Sequence, residues 1–119
     1  MSPRSFADLD AYKYAAELAD AIHSQVMAWD KIHQWTVGIQ LVKAADSVGA
    51  NIAEASGRWH DADQRRLLYI ARGSLRETEH WLARATTRGL LPAGRFDGQV
   101  VRVAKTLSGL IGRSNSRLT

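Results

Sequence analysis

Two short stretches place small and polar side chains where a helix ordinarily offers leucine or isoleucine to a core. They are Asn51-Ile52-Ala53-Glu54-Ala55-Ser56-Gly57-Arg58 and Ala71-Arg72-Gly73-Ser74-Leu75-Arg76-Glu77. Both lie in segments whose apolar residues recur three and four positions apart, the spacing of an amphipathic helix. A polar group buried between helices without a partner costs about 1–3 kcal/mol. A bundle that contains these stretches must therefore pair them, which constrains helix register far more than it selects a chemistry.

The remaining signals are also helical. There is no sustained apolar/polar alternation and no Asn-Gly or Asp-Gly hairpin, so an all-α chain is expected. Four helices are expected at about 5–29, 36–56, 62–88 and 94–112, in a single domain covering 1–119. Ser5-Phe6-Ala7-Asp8 resembles a capping arrangement for the first helix. Phe6, Leu9, Tyr12, Ala16, Ala19, Ile22 and Val26 then form its core stripe. The second helix is rich in alanine and ends at Gly57, expected in the left-handed C-terminal position. Asp61 or Asp63 can cap the third helix, Gly89 stops it, and residues 90–94 turn the chain. The fourth presents Phe96, Val100, Val103, Leu107 and Leu110 on one face and frays after Gly112. Gly73 and Gly109 each cost about 1 kcal/mol relative to alanine inside a helix, which predicts close packing at both. Short connections between four helices give an antiparallel up-down-up-down bundle.

At 119 residues the chain can build one core and not two. It has no cysteine, which removes disulfides, thiolate metal sites and cysteine nucleophiles. No apolar run approaches the roughly 20 residues of a membrane-spanning helix. Met1-Ser2-Pro3-Arg4 leads straight into a periodic segment, so no signal peptide is expected. A soluble, cytoplasmic protein without a membrane partner follows. Glu77-x-x-His80 matches half of a di-iron bundle motif, Asp20-x-x-His23 copies it loosely, and Glu54 could add a carboxylate. The fourth helix offers only Asp97, which leaves the set incomplete and predicts no metal. The four histidines, His23, His33, His60 and His80, are scattered, and no phosphate-binding glycine loop is present. Neither an enzymatic activity nor a cofactor is expected.

Two polar features remain. Ser47, Asn51, Glu54 and Arg58 share one face of the second helix, and Ser74, Glu77 and Trp81 share a face of the third. If the two faces meet, Asn51, Arg58, Ser47 and Ser74 can donate to the two glutamates. Such an arrangement serves as an internal network that sets register or, alternatively, as a polar site; register setting is the preferred reading. The second feature is charge. The net charge is +4, with an acidic excess before residue 36 and a basic excess after residue 90. At 100° per residue, Arg95, Arg102 and Arg113 fall within about 20° of one another on the fourth helix, with Lys105 at the margin. No acid shares that row. Arg65, Arg72 and Arg76 make a second row on the third helix, which Glu79 shares. A row of unneutralised cations suits phosphate contact with RNA or DNA; the plain alternative is a solvated face. Trp29, Trp35 and Trp59 fall near helix ends, where a neighbouring subunit often covers large aromatics; base stacking is the less favoured alternative, since few arginines adjoin Trp29 or Trp35.

The run from Gln40 to Arg58 (QLVKAADSVGANIAEASGR), followed by Ile70 to Glu77 (IARGSLRE), resembles the 23S rRNA intervening-sequence proteins, also called four-helix-bundle proteins. The resemblance extends over almost the whole chain. Lys43 stands where the family has arginine, and Ala55 where it has glycine. The resemblance implies a four-helix bundle that assembles into a ring-like homo-oligomer, a homopentamer, with no established catalytic activity. The chain is also similar to the accessory proteins of diversity-generating retroelements, which are basic pentamers that engage nucleic acid and a reverse transcriptase. The expected function is thus a non-enzymatic homo-oligomer that binds RNA or DNA or assists a nucleic-acid enzyme. The alternative is a protein-interaction scaffold with no nucleic-acid partner.

Overall fold

The computed structural model describes residue 6 and residues 9–118. Four long helices account for most of them: α1 (Asp10–Met27), α2 (31–56), α3 (Asp61–Thr87) and α4 (Asp97–Leu118). Side-chain pairs across the seams give the directions. Asn115 of α4 meets Tyr69 near the start of α3, Ser74 of α3 meets Ser47 of α2, and Gln64 meets Ala55. Partner numbers fall on α3 as they rise on α2, and Gly38 of α2 faces Val26 of α1 where Gly49 faces Tyr12, so these neighbours run antiparallel. Each helix packs on its successor, α4 closes back onto α1, and α2 against α3 is the most extensive pairing. This is the expected up-down-up-down bundle.

The core is drawn from the periodic positions. Leu18 and Ile22 of α1, Leu41, Val48 and Ile52 of α2, Leu68 and Leu75 of α3, and Val103 and Leu107 of α4 are all buried. Each large aliphatic side chain stabilises the fold by about 1.5–3 kcal/mol. The α1 stripe is rotated from the expected one. Ala11, Ala15 and Leu18 are buried, Tyr12 and Ala16 are half-buried, and Phe6 is exposed with its ring edge on Tyr12. The expected cap at Ser5, with Asp8, lies outside the described residues.

The expected link at 30–35 is largely helix. α2 begins at Lys31, passes through a π-helical segment at Gln34–Gly38, and continues as Ile39–Ser56. Two features make the early start feasible. Gln34 Nε2 donates to the carbonyls of Met27 (3.2 Å) and Trp29 (2.9 Å), satisfying acceptors that the end of α1 leaves open. Gly38 lets the wide turn sit against α1: a Cβ there would lie 2.7 Å from Val26 Cγ1 and 2.9 Å from the His33 carbonyl oxygen.

Other helix ends also differ in detail. Gly57 has φ −91°, so α2 closes with a right-handed turn rather than the left-handed one expected. The cap position of α3 is His60, with Asp61 and Asp63 in the first turn, where their charge favours the helix dipole. Gly89 does stop α3, at φ 77°. Its N–H reaches the Thr86 carbonyl at 3.1 Å, and Leu90 N–H reaches that of Ala85 at 2.9 Å, a Schellman closure. α4 starts later and ends later than expected, and Ser114 continues its buried face past Gly112. Gly73 has open space where its Cβ would be, and Gly109 meets only the end of Arg113's own side chain. The tight approach within the bundle is at Gly38 instead. Among the described residues, no helix is long and apolar enough to cross a membrane.

Candidate functional site

The two polar stripes meet only in part. Ser47 and Ser74 join α2 to α3 through a hydroxyl–hydroxyl hydrogen bond of 2.9 Å. Asn51 Nδ2 donates to the Ser47 carbonyl at 2.8 Å and to Ser47 Oγ at 3.1 Å. Thr78, fully buried, donates to the Ser74 carbonyl at 2.8 Å and extends the cluster along α3. The spacing Ser74-x-x-x-Thr78 carries that contact in the sequence, because a threonine hydroxyl reaches back one turn.

The two glutamates lie elsewhere. Glu54 is exposed and pairs with Arg58 on its own helix at 2.8 Å. Glu77 is exposed and accepts a long hydrogen bond of 3.4 Å from Trp81 Nε1. Neither carboxylate enters the seam, because the buried positions one turn beyond Asn51 and Ser74 are Ala55 and Thr78, and Glu54 and Glu77 lie one residue off them on the exposed side. The cluster is small, self-satisfied and without a titratable member. Among the described residues, no three His, Asp or Glu side chains lie close enough to share a metal ion.

The basic row divides in a similar way. Arg95 precedes α4, so the helical angle that aligned it with Arg102 does not apply. Its guanidinium sits 4.6 Å from the Phe96 ring centroid, and it lines the cleft between α3 and α4 with Glu79 and Asp97. Arg102 is on the other side of α4, with its guanidinium 4.9 Å from the ring centroid of Tyr14 on α1. Lys105 and Arg113 line a cleft along the same α1–α4 seam. Asp10 shares that cleft but lies beyond ion-pair distance of either cation. Arg102, Lys105 and Arg113 thus form a basic strip without Arg95.

The third helix carries a second group of outward cations. Arg65, Arg66, Arg72 and Arg76 fall in its first sixteen residues, and Glu79, which shares the face of Arg72 and Arg76, pairs with none of them within 4.0 Å while also lining the Arg95 cleft. Among the described residues, the Lys and Arg side chains within 4.0 Å of a carboxylate are Arg58 and Arg66, the latter at the limit with Asp63. The tryptophans also separate. Trp29 and Trp81 pack on the core, whereas Trp35 and Trp59 project from opposite ends of the bundle. Met27, Ile32 and Trp35, at 60, 66 and 70 % exposure, concentrate apolar surface at the α1–α2 end.

The family model described as 23S rRNA-intervening sequence protein matches residues 7–110. No curated protein sequence matches the chain.

Proposed function

This chain belongs to the 23S rRNA-intervening sequence protein family, and we propose that it is a non-enzymatic homo-oligomer that binds RNA or DNA through its basic surface. The observation that carries the reading is the unneutralised strip Arg102, Lys105 and Arg113, none of which has a carboxylate within 4.0 Å among the described residues. Cations left free at a surface are available to displace counterions from a phosphate backbone. Assistance to a nucleic-acid enzyme is compatible with the same surface.

Self-association is supported by the apolar α1–α2 end. Met27, Ile32 and Trp35 expose large side chains there, and contiguous apolar surface on a small domain marks a contact site. A pentameric ring is the assembly proposed, by family resemblance. Light scattering should give a multiple of the 13.2 kDa chain mass; a monomer contradicts the ring. The same apolar end favours the second reading, a scaffold that recruits a protein.

Fluorescence anisotropy with structured RNA and duplex DNA tests the preferred reading. Binding should be strongest at low salt and fall steeply as salt rises. The combined substitution Arg102→Glu, Lys105→Glu and Arg113→Glu should abolish most of it while helical content is kept, and Arg95→Glu should do less. No binding at low salt removes the nucleic-acid reading and leaves the scaffold.

A further inference from the structure

The α2–α3 turn and the outward face of α3 combine features that the bundle itself does not use. Trp59 is 96 % exposed. It spans the step between the end of α2 at Ser56 and the start of α3 at Asp61, with its large ring in solvent. Three residues later Ala62 begins a shallow groove along α3, floored by its small side chain and by Ile70 and walled by Arg65, Arg66 and Tyr69. The Tyr69 ring is held in place. Arg72's guanidinium lies 4.6 Å from its centroid, and Asn115 Nδ2 donates to its hydroxyl at 3.4 Å.

We infer that this turn and groove form a stacking platform for single-stranded nucleic acid, an inference that rests on the proposed nucleic-acid reading. Exposed aromatic faces stack unpaired bases, and flanking arginines track the phosphates between them. A duplex keeps its base faces stacked inside and offers such a surface only backbone contacts. Arg65 and Arg72 have no carboxylate within 4.0 Å among the described residues, and Arg66 has only the 4.0 Å contact to Asp63. That cationic wall disfavours an apolar peptide and matches a polyanion. From Ala62 to Arg72 the platform is about 15 Å long at 1.5 Å per residue, room for about four stacked nucleotides.

The test uses the full chain with a fluorescein-labelled single-stranded uridine 20-mer and a duplex of equal length at matched salt. Trp59→Ala and Tyr69→Ala should each weaken single-strand binding by about 5- to 100-fold. Trp59→Phe and Tyr69→Phe, which keep a ring, should restore most of it. Duplex affinity should stay within about twofold for all four variants, because the arginines that contact phosphate remain. Trp59 is solvent-exposed, so its loss does not threaten the fold, and circular dichroism should be unchanged. In the wild type, the 20-mer should quench a share of tryptophan emission that disappears in Trp59→Phe. Single-strand affinity unchanged in both alanine variants overturns the platform. If Arg102→Glu with Lys105→Glu and Arg113→Glu still weakens binding, the nucleic-acid reading survives that failure. Equal losses for single strand and duplex also overturn it, since stacking would then not be the source. A wild type that binds neither probe removes both readings, and capture of an apolar peptide instead favours the scaffold.

Discussion

On the side of α3 that meets α2, Ser74 and Thr78 are engaged with Ser47 and with backbone carbonyls at 2.8–2.9 Å. On the opposite side of the same helix, Arg65, Arg72 and Arg76 carry full charges with no carboxylate within reach among the described residues. Both faces are polar in sequence, yet only the outer one has unused binding capacity. Polar groups that satisfy one another inside a seam specify register. Polar groups that the fold leaves open are the ones able to engage a partner.

The contrast can be broken from the inner side first. Leu68→Ala, at a side chain almost fully buried in the core, should cost about 2–5 kcal/mol in chemical denaturation. A loss well below that range would mean that the seam is loosely packed. Gly38→Ala forces a methyl group against Val26 and the His33 carbonyl and should cost about 1–3 kcal/mol. Val26→Ala on top of it should recover only part of that cost, because the backbone clash remains. Asn51→Ala removes the two donations to Ser47 and should cost about 1 kcal/mol, with nucleic-acid affinity unchanged. Altered affinity would transfer function back to the seam. On the outer side, Gly73→Ala has open space and a helical backbone, so it should stabilise the protein by about 0.5–1 kcal/mol in thermal unfolding. Destabilisation would show that another subunit packs there. The smallest effect is expected for Glu54→Ala, which breaks an exposed one-turn ion pair worth about 0.3–0.5 kcal/mol.

The sequence carried the architecture because apolar periodicity is a property of each helix alone. Leu41, Val48, Ile52, Leu68 and Leu107 are buried as their spacing requires, and Gly89 ends α3 where a left-handed glycine should. What was illegible depends on fine geometry at helix ends. The π segment at Gln34–Gly38 and the hydrogen bonds of Gln34 join α1 to α2 through a turn that periodicity does not encode. Arg95 looked aligned with Arg102 only on the assumption that α4 begins before it, and the helix begins at Asp97. Glu54 and Glu77 share a stripe with Asn51 and Ser74, but Ala55 and Thr78 take the buried positions one turn on and leave both glutamates at the surface. Trp59 was legible as an aromatic near a helix end. Its near-complete exposure was not, since that depends on how the connection between α2 and α3 leaves the bundle.

The most direct measurement is the salt dependence of duplex DNA binding for the wild type and for Arg102→Gln with Lys105→Gln and Arg113→Gln. Each phosphate contact contributes about 0.9 to the slope of log affinity against log salt concentration. Removal of three cations should therefore flatten the slope by about 2–3 and weaken binding most at low salt. An affinity and a slope indistinguishable from the wild type would contradict a role for the α4 strip in nucleic-acid binding.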